Sequence, residues 1–239
     1  MSNHTAIFDM DGVLVDTYRA HYASWLEVTR AEGVDFTEED FAATFGCTSR
    51  EVIATLWARQ RLEVSERQTA AMDARKEAAF RRIIETQVPV MPGALALLED
   101  LRRQGFSLAL GSSAPSENVE LVVDRLRLGP LLGAVVTGRD VTRGKPDPQV
   151  FLLAAERLGA PPGRCVVIED APVGIAAARA AGMASVGLAS TGRTRQSLAD
   201  AELVIDRLDE LSPEVLRRLI AYGLPSPFGR GAGDEGRHA

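Results

Sequence analysis

Two patterns of apolar and polar positions divide the chain. The short run from Thr5 to Phe8 is β-prone, stops at acidic residues and Gly12, and predicts a buried strand that leads into a loop. From about Tyr18 to Glu85 the apolar residues recur at helical spacing, with many charges between them and no proline. This second stretch is predicted to be all helical.

Beyond residue 88 the pattern alternates between strands and helices. The predicted strands cover 106–110, 134–137, 165–168, 184–188 and 203–205, and the predicted helices cover 94–104, 116–126, 148–158 and 173–181. Such alternation favours a parallel sheet with helices on both faces and right-handed crossovers. Because the first strand belongs to the same sheet, the helical stretch between them is an insertion.

The patterns together predict an α/β fold in which a Rossmann-like parallel sheet core is interrupted by an all-helical cap domain. The core is expected to comprise residues 1–16 and 88–222, and the cap residues 17–87. Residues 223–239 combine glycine, proline and mixed charges without apolar periodicity. We predict that this segment is a disordered tail.

Composition excludes several classes of protein. The 239 residues are 46% hydrophobic and 25% charged, as in a globular protein with a sizeable core. The net charge of −6 offers no attraction for nucleic acid, and Cys47 and Cys165 lie far apart without neighbours at metal-ligand spacing. Neither a signal peptide nor a membrane span of ~20 apolar residues is predicted. We expect a cytoplasmic monomer without nucleic-acid or membrane partners.

Polar residues follow four of the predicted strands, at or just past the point where each strand ends. Parallel strands end on the same edge of a sheet, and ligands bind at that edge. We therefore expect these residues to converge although they are spread along the chain. They are Asp9, Asp11, Ser112, Ser113, Lys145, Glu169 and Asp170.

The chemistry of this set points to phosphate. In an extended segment, the i, i+2 spacing of Asp9 and Asp11 directs both carboxylates to one side. Four carboxylates in one cleft require a cation, and oxygen ligands favour Mg²⁺. Lys145 adds a positive charge, and the donors around Ser112 and Ser113, just before a helix, form an anion site. Phosphoryl transfer requires this combination of metal, lysine and hydrogen-bond donors.

Four segments resemble the ordered motifs of the haloacid dehalogenase-like superfamily. Asp9 to Thr17 resembles the first motif, Gly111-Ser112-Ser113 the second, Gly144 to Pro148 the third and Val166 to Ala178 the fourth. The helical insertion directly after the first motif is similar to that of the branch containing β-phosphoglucomutase and many sugar-phosphate phosphatases. The resemblance extends from about Ala6 to Ile220.

The resemblance implies a role for each motif residue. Asp9 would attack phosphorus and form an aspartyl-phosphate, and Asp11 would act as general acid and then as general base. Ser112 and Lys145 would hold the transferring phosphoryl group. The implied Mg²⁺ ligands are Asp9, the backbone carbonyl of Asp11, Glu169 and Asp170.

Each of these residues also has a simpler structural interpretation. Asp9 fits a turn at a strand end, and Lys145 fits a solvated loop. Ser112 fits a helix N-cap, and Glu169 and Asp170 fit an acidic cap on the next helix. The order of the four motifs favours the functional interpretation.

Candidate residues in the cap are less specific. His21 and Trp25 share a helix face at i, i+4 and are placed where the cap leaves the core, so they are candidates for the wall of the site. Arg50, at the start of a cap helix, is a candidate ligand for a second phosphate, although a surface arginine fits equally well. Thr17, together with Asp16, is expected to cap the first cap helix. The basic pair at 75–76 is expected on a solvated face.

The expected function is Mg²⁺-dependent hydrolysis of a small phosphorylated metabolite, most simply a sugar phosphate. The alternative is a β-phosphoglucomutase, which returns the phosphoryl group to a sugar. Glu117 counts against the mutase, since the mutase pattern has a lysine there. A dehalogenase would not need Asp11, and a phosphoacceptor signalling module would not need a cap.

Overall fold

A six-stranded parallel sheet forms the centre of the computed structural model, which describes residues 4–45 and 47–222. The strand order is β3-β2-β1-β4-β5-β6. The strands are β1 (Thr5–Phe8), β2 (Ser107–Gly111), β3 (Ala134–Val136), β4 (Cys165–Glu169), β5 (Ala184–Leu188) and β6 (Leu203–Ile205). The predicted strands are therefore all present, with ends that differ by about one residue. The tail predicted for 223–239 lies outside the described residues.

Helices cover both faces of the sheet, and the alternating side chains of β1 show which residues lie on each face. Ala6 and Phe8 pack into the core on one face, and Ile7 packs into the core on the other. All four residues of β1 are buried, as expected for a strand covered on both sides. The first face is covered by α5 (Ala94–Arg103), α6 (Ser116–Arg125) and α9 (Pro213–Tyr222), and the second by α7 (Gln149–Arg157) and α8 (Pro172–Ala180).

The C-terminal helix α9 was missing from the sequence prediction. Its signal is short, but Leu216 and Leu219 lie one turn apart and are both buried against the sheet. Pro213 at its first position is favourable because that N–H has no helical partner. The amphipathic pattern was therefore available in the sequence.

The inserted segment consists of four helices in the described part of the chain. They are α1 (Tyr18–Ala31), α2 (Glu38–Thr44), α3 (Ser49–Arg59) and α4 (Glu66–Thr86). Three of them begin at capping boxes, in which Thr37, Thr48 and Ser65 exchange hydrogen bonds with the residue three positions on. The helices enclose their own apolar core of aromatic and aliphatic side chains.

Helix α4 joins this cap to the core. It packs along α1 on one side and against α6 on the other. Phe80 and Ile84 of α4 belong to the same apolar core as the sheet residue Phe8. The cap therefore extends the hydrophobic core of the sheet domain. No helix among the described residues is both long enough and apolar enough to cross a membrane.

Candidate active site

The carboxyl ends of β1 and β4 bring acidic motif residues together. Asp9 follows β1, and its backbone N–H donates to the Ile168 carbonyl at 3.0 Å, so the strand pairing continues to the first candidate residue. Glu169 ends β4 and Asp170 follows it. The side chains of Asp9, Glu169 and Asp170 are buried, and each offers a carboxylate oxygen within 4.8 Å of the others. This is the convergence expected from the strand ends.

Lys145 reaches this cluster from the long loop after β3. Its Nζ lies 2.7 Å from Asp9 Oδ1 and 2.6 Å from Glu169 Oε1, and 4.8 Å from the ring centroid of Phe151. The side chain is only 7% exposed, so it is not a solvated loop lysine. Burial alone would lower the pKa of Lys145, but the two carboxylates outweigh burial and raise it above its usual value. Lys145 is therefore a fixed positive charge.

The clustered carboxyl groups resist ionisation when no cation is bound. Burial raises the pKa of Asp9 well above its usual value, and the charge of Lys145 offsets only part of that effect. Burial, followed by repulsion from Glu169, raises the pKa of Asp170 to about 7. A positive charge placed between these groups would favour their ionised forms.

Asp170 is held by the loop that follows β5. Its Oδ2 accepts a hydrogen bond from Ser190 Oγ at 3.1 Å and lies 3.5 Å from Arg193 Nε. Gly12 approaches the same oxygen so closely that a Cβ there would lie 2.1 Å from it, and its φ of 73° also favours glycine. The first motif therefore packs directly against the fourth.

Both oxygens of Glu169 are already bound by the protein. Oε1 accepts from Lys145, and Oε2 accepts from the Ala171 N–H at 2.7 Å. The backbone of Gly174 on α8 packs against the carboxylate, where a Cβ would lie 1.9 Å from Oε1. This environment favours a role for Glu169 in holding Lys145, with Asp9 and Asp170 better placed to ligate a metal.

The donor set fits a hard divalent cation. All the candidate ligand atoms are oxygens, and they lie close enough to share one ion. Among the described residues, the three clustered carboxylates of Asp9, Glu169 and Asp170 pair with two cations, Lys145 and Arg193, so their ionised forms leave one negative charge unbalanced. A Mg²⁺ ion would balance that excess and leave one positive charge to attract a phosphate group.

Asp11 occupies a different environment from Asp9. The Met10 carbonyl accepts N–H groups from residues 13–15 at 2.9–3.3 Å, so the chain turns immediately after Asp9. The extended segment predicted for Asp9 and Asp11 is therefore wrong: a turn places the second carboxylate. Asp11 Oδ1 accepts from Thr17 Oγ1 at 2.6 Å and lies 3.4 Å from His21 Nε2.

These contacts also correct the role expected for Thr17. Thr17 is the N-cap residue of α1 by position, but its side chain makes no capping hydrogen bond and binds Asp11 instead. Burial disfavours the Asp11 carboxylate, but hydrogen bonds from His21 and Thr17 outweigh it and lower the pKa of Asp11. Two carboxylates two residues apart thus have pKa values shifted in opposite directions.

Lys76 fixes the tautomer of His21. Its Nζ lies 3.0 Å from His21 Nδ1, and since an ammonium group only donates, Nδ1 is the acceptor nitrogen. Burial and the charge of Lys76 lower the pKa of His21, so the imidazole is neutral near pH 7. Its proton is then on Nε2, which faces Asp11.

The solvated face expected for Lys76 is therefore wrong. The residue is 5% exposed, although its neighbour Arg75 pairs with Glu32 at the cap surface. The sequence did contain a signal: Lys76 lies four residues before Phe80, on the buried face of α4 that also includes Met72. A lysine on an apolar helix face is a candidate for a buried polar contact.

The second motif lies at the end of β2. The Ser112 N–H donates to Val136 of β3 at 3.0 Å, and its buried Oγ accepts from the Ala114 N–H at 3.1 Å. Ser112 is not the N-cap of α6, because that helix begins at Ser116 with Pro115 at the cap position. Ser113 is exposed on the same turn. Their proposed contacts with phosphate remain predictions.

The other cap candidates do not lie with Asp9 among the described contacts. Trp25 is 4% exposed within the cap core, and its ring centroid lies 5.8 Å from Lys76 Nζ, behind His21. Arg50 is exposed at the start of α3 and pairs with Glu66, with Nη1 at 2.7 Å from Oε2. Their roles toward substrate remain predictions.

Arg193 was missed in the sequence. Besides Asp170, it contacts the cap residue Phe45, with Nη1 at 3.3 Å from the carbonyl and the guanidinium 4.2 Å from the ring centroid. It lies beyond the last recognised motif, just past the end of β5. That position at the carboxyl edge of a parallel strand was the available signal.

Comparison with known proteins supports the same assignment. The sequence model of the haloacid dehalogenase-like hydrolases matches residues 4–182. The chain belongs to this family. The match contains all four motifs and the whole cap, so the predicted resemblance is confirmed.

Relatives of this haloacid dehalogenase-like chain include both phosphatases and mutases. Validoxylamine A 7′-phosphate phosphatase of Streptomyces hygroscopicus subsp. limoneus is 30% identical over 207 residues, covering 86% of this chain and 94% of the relative. Beta-phosphoglucomutase of Bacillus subtilis is 29% identical over 214 residues, covering 88% and 92%. The structure of beta-phosphoglucomutase from Clostridium difficile has a TM-score of 0.80 at 26% identity, covering 91% and 97%. Haloacid dehalogenase-like enzymes of this kind use Mg²⁺.

The contact between Gly174 and Glu169 gives a prediction about stability. In Gly174→Ala the new methyl group displaces Glu169 from Lys145, at a cost of about 3–5 kcal/mol for a broken buried pair. Alanine gains only about 1 kcal/mol of helix propensity. We expect the free energy of unfolding to fall by about 2–4 kcal/mol, measured by urea denaturation. Gly163→Ala, where a Cβ meets open space, is the control and should change little.

Direct metal binding tests the carboxylate cluster. Asp170→Asn removes a charged ligand, so the affinity for Mg²⁺ should fall at least about tenfold in calorimetry. Asp206→Asn, at the exposed end of β6, is the control and should bind as the unaltered chain does. Because the pKa of Asp170 is raised to about 7, the affinity of the unaltered chain should also decrease as the pH falls below 7. Equal affinity in Asp170→Asn would place the metal elsewhere.

Proposed function

We propose that the protein is a Mg²⁺-dependent phosphatase of small sugar phosphates that acts through an aspartyl-phosphate on Asp9. The observation that carries this proposal is the contrast between the two first-motif carboxylates. Asp9 lies against Lys145 and the candidate metal ligands, whereas Asp11 lies against a neutral histidine and a hydroxyl. One carboxylate is placed to be a nucleophile, and the other to exchange a proton.

In the first step an Asp9 oxygen attacks phosphorus and the bond from phosphorus to the sugar oxygen breaks. The negative charge of the bound phosphate opposes the lowered pKa of Asp11 and favours its protonated form, which gives its proton to the leaving sugar oxygen. In the second step water attacks phosphorus, its proton passes to Asp11, and the bond to Asp9 breaks. Both carboxyl groups return to their initial states and inorganic phosphate is released.

The remaining site residues stabilise charge on the transferring group. A Mg²⁺ held by Asp9, Asp170 and the backbone carbonyl of Asp11 would neutralise phosphate charge and keep Asp9 ionised. Lys145 supplies a second fixed positive charge, and Glu169 holds it in place. The Ser112 hydroxyl accepts from the Ala114 N–H and keeps its own proton to donate to a phosphate oxygen.

The sugar-phosphate class is supported by the relatives. Their printed names include a phosphatase of validoxylamine A 7′-phosphate, a fructose-1-phosphate phosphatase and beta-phosphoglucomutase. The cap covers Asp11 through α1 and α4, which suits a substrate small enough to be enclosed.

One observation favours the mutase as a second candidate. Asp11 is bound by His21 of the cap, so the acid/base group is fully held only with the cap in place. A sugar that keeps the cap seated would then be a better acceptor than water. Glu117 counts against this candidate. It places a negative charge where a second phosphate would need a cation, and it pairs with Arg139 at 2.8 Å on the surface.

The nucleophile is tested by Asp9→Asn. An amide neither attacks phosphorus nor balances the metal, so kcat for an aryl phosphate should fall by more than about 10³-fold. Asp16→Asn is the control. The Asp16 carboxylate lies on the same loop as Asp9 but accepts a hydrogen bond from Thr191, so this variant should retain most activity. A rate above about a tenth of normal in Asp9→Asn, a barrier change of only ~1.4 kcal/mol, would exclude the assignment.

Arg50 distinguishes the two candidate functions. If it binds a distal phosphate, Arg50→Ala should lower kcat/KM for a bisphosphorylated sugar by about ten- to a hundredfold, equal to ~1.5–3 kcal/mol, and leave an aryl phosphate unaffected. Arg67→Ala, which removes another exposed cap charge, is the control.

The companion assay supplies β-glucose 1-phosphate with a trace of the 1,6-bisphosphate. Efficient formation of glucose 6-phosphate would establish the mutase and overturn the phosphatase. Release of phosphate without glucose 6-phosphate would exclude the mutase. If Arg50→Ala also matched the unaltered chain on both substrate types, the distal-phosphate role of Arg50 would be excluded as well.

A further inference from the structure

Glu77 on α4 binds two partners that belong to different parts of the molecule. Its Oε1 accepts from Lys76 Nζ at 2.7 Å, and its Oε2 accepts from Asn118 Nδ2 at 2.6 Å. Asn118 is on the core helix α6 and is 1% exposed. The orientation of its amide is fixed because Oδ1 accepts from Arg81 at 2.9 Å. Glu77 itself is 13% exposed.

The contact between Lys76 and Glu77 is not an ordinary helix ion pair. Adjacent residues on a helix do not face each other, whereas pairs three or four apart do. Here both side chains are largely buried and bend to the same point, and Lys76 also binds His21. Glu77 therefore directs Lys76 toward the imidazole as well as neutralising it.

These contacts form a continuous chain, which we call the acid/base chain: Asp11, His21, Lys76, Glu77 and Asn118. Its successive links measure 3.4, 3.0, 2.7 and 2.6 Å. Both ends lie on the core, and the three middle residues lie on cap helices α1 and α4. The chain is complete only when α4 is seated on α6.

We propose that Glu77 is a positioning residue that couples the seating of the cap on α6 to the tautomer of His21, and through it to Asp11. The proposal rests on the acid/base role of Asp11 for its effect on catalysis. Its structural part is independent of that role. With Asn118 bound, Glu77 holds Lys76 on Nδ1 and the His21 proton stays on Nε2, directed at Asp11.

Glu77→Gln tests the coupling with little change in shape. Glutamine has an NH₂ donor where glutamate has its second acceptor oxygen, so it cannot accept from Lys76 at one position and from Asn118 at the other. The double variant Glu77→Gln with Asn118→Asp restores both contacts, because the glutamine amide then donates to the new carboxylate. Arg81 keeps an acceptor in that variant, and the local charge is unchanged.

Glu85→Gln is the matched control. Glu85 also lies on α4 and pairs with Arg125 of α6 at 3.1 Å, but this pair is exposed and lies away from Lys76. It therefore reports the effect of losing a contact between the two helices without disturbing the acid/base chain.

The first readout is the imidazole ¹⁵N spectrum of the full chain near pH 7.5. The sequence has three histidines, so the His21 signals can be assigned by their loss in His21→Gln. We expect one protonated Nε2 and one unprotonated Nδ1 in the unaltered chain and in Glu85→Gln. Glu77→Gln should give averaged shifts from mixed tautomers, and the double variant should recover the original spectrum.

The second readout is the dependence of kcat/KM on the leaving group. A sugar alkoxide needs a proton from Asp11, whereas 4-nitrophenolate needs little help. Glu77→Gln should therefore lose about tenfold in kcat/KM for a hexose phosphate, equal to ~1.4 kcal/mol, and less than about twofold for 4-nitrophenyl phosphate.

An unchanged His21 spectrum in Glu77→Gln, or an equal change in Glu85→Gln, would overturn the coupling. Failure of the double variant to recover either readout would overturn it as well. If the unaltered chain released no phosphate from any substrate, the proposed function would fail while the ¹⁵N spectra still decided the structural link.

Discussion

Lys145 lies within hydrogen-bonding distance of two buried carboxylates, and the rest of the catalytic edge depends on that contact. Parallel strands have their carboxyl ends at the same edge of the sheet, so the residues that follow the strands lie close together there. Here it concentrates Asp9, Glu169 and Asp170. Removing one partner from such a buried pair costs about 3–5 kcal/mol, because the other charge is left without compensation. The positive charge of Lys145 reduces the repulsion among these carboxylates. The negative charge that remains makes this edge of the sheet a candidate site for a divalent cation.

The turn at Met10 separates the carboxylates of Asp9 and Asp11, which lie only two residues apart in the sequence. Asp9 still belongs to the strand pairing and faces the metal cluster, whereas Asp11 has left the sheet and faces the cap. Burial disfavours both carboxylates, but their pKa values shift in opposite directions because hydrogen bonds from His21 and Thr17 outweigh burial at Asp11, whereas Lys145 offsets only part of it at Asp9. The different roles proposed for Asp9 and Asp11 therefore need no difference in residue type, because the turn alone gives the two carboxylates different environments.

The sequence predicted the parallel sheet, the inserted helices and the clustered motif residues because each depends on a local pattern. Strand runs, helical spacing and strand-end polar residues are all readable within a few positions. It did not predict Lys76 against His21 or Arg193 between Asp170 and Phe45, since those contacts join segments that only the packing brings together. The error at Thr17 has the same origin. A threonine before a helix is usually a cap, but here a carboxylate six residues earlier competes for its hydroxyl.

The core and the cap hold different groups of the candidate site, and the contacts of each group explain why. The residues proposed to act on phosphorus need rigid positions, which Asp9 and Asp170 obtain from strand ends and Lys145 obtains from its ion pairs with Asp9 and Glu169. The proposed acid/base residue, Asp11, is instead held by His21 of α1, which Lys76 of α4 binds in turn. Because α4 shares the apolar core of the sheet through Phe80 and Ile84, the cap is anchored at one end, while α3 carries the exposed Arg50. The exposed cap helices can therefore change without disturbing the carboxylate cluster, whereas the anchored face of α4 is constrained by the contact of Lys76 with His21.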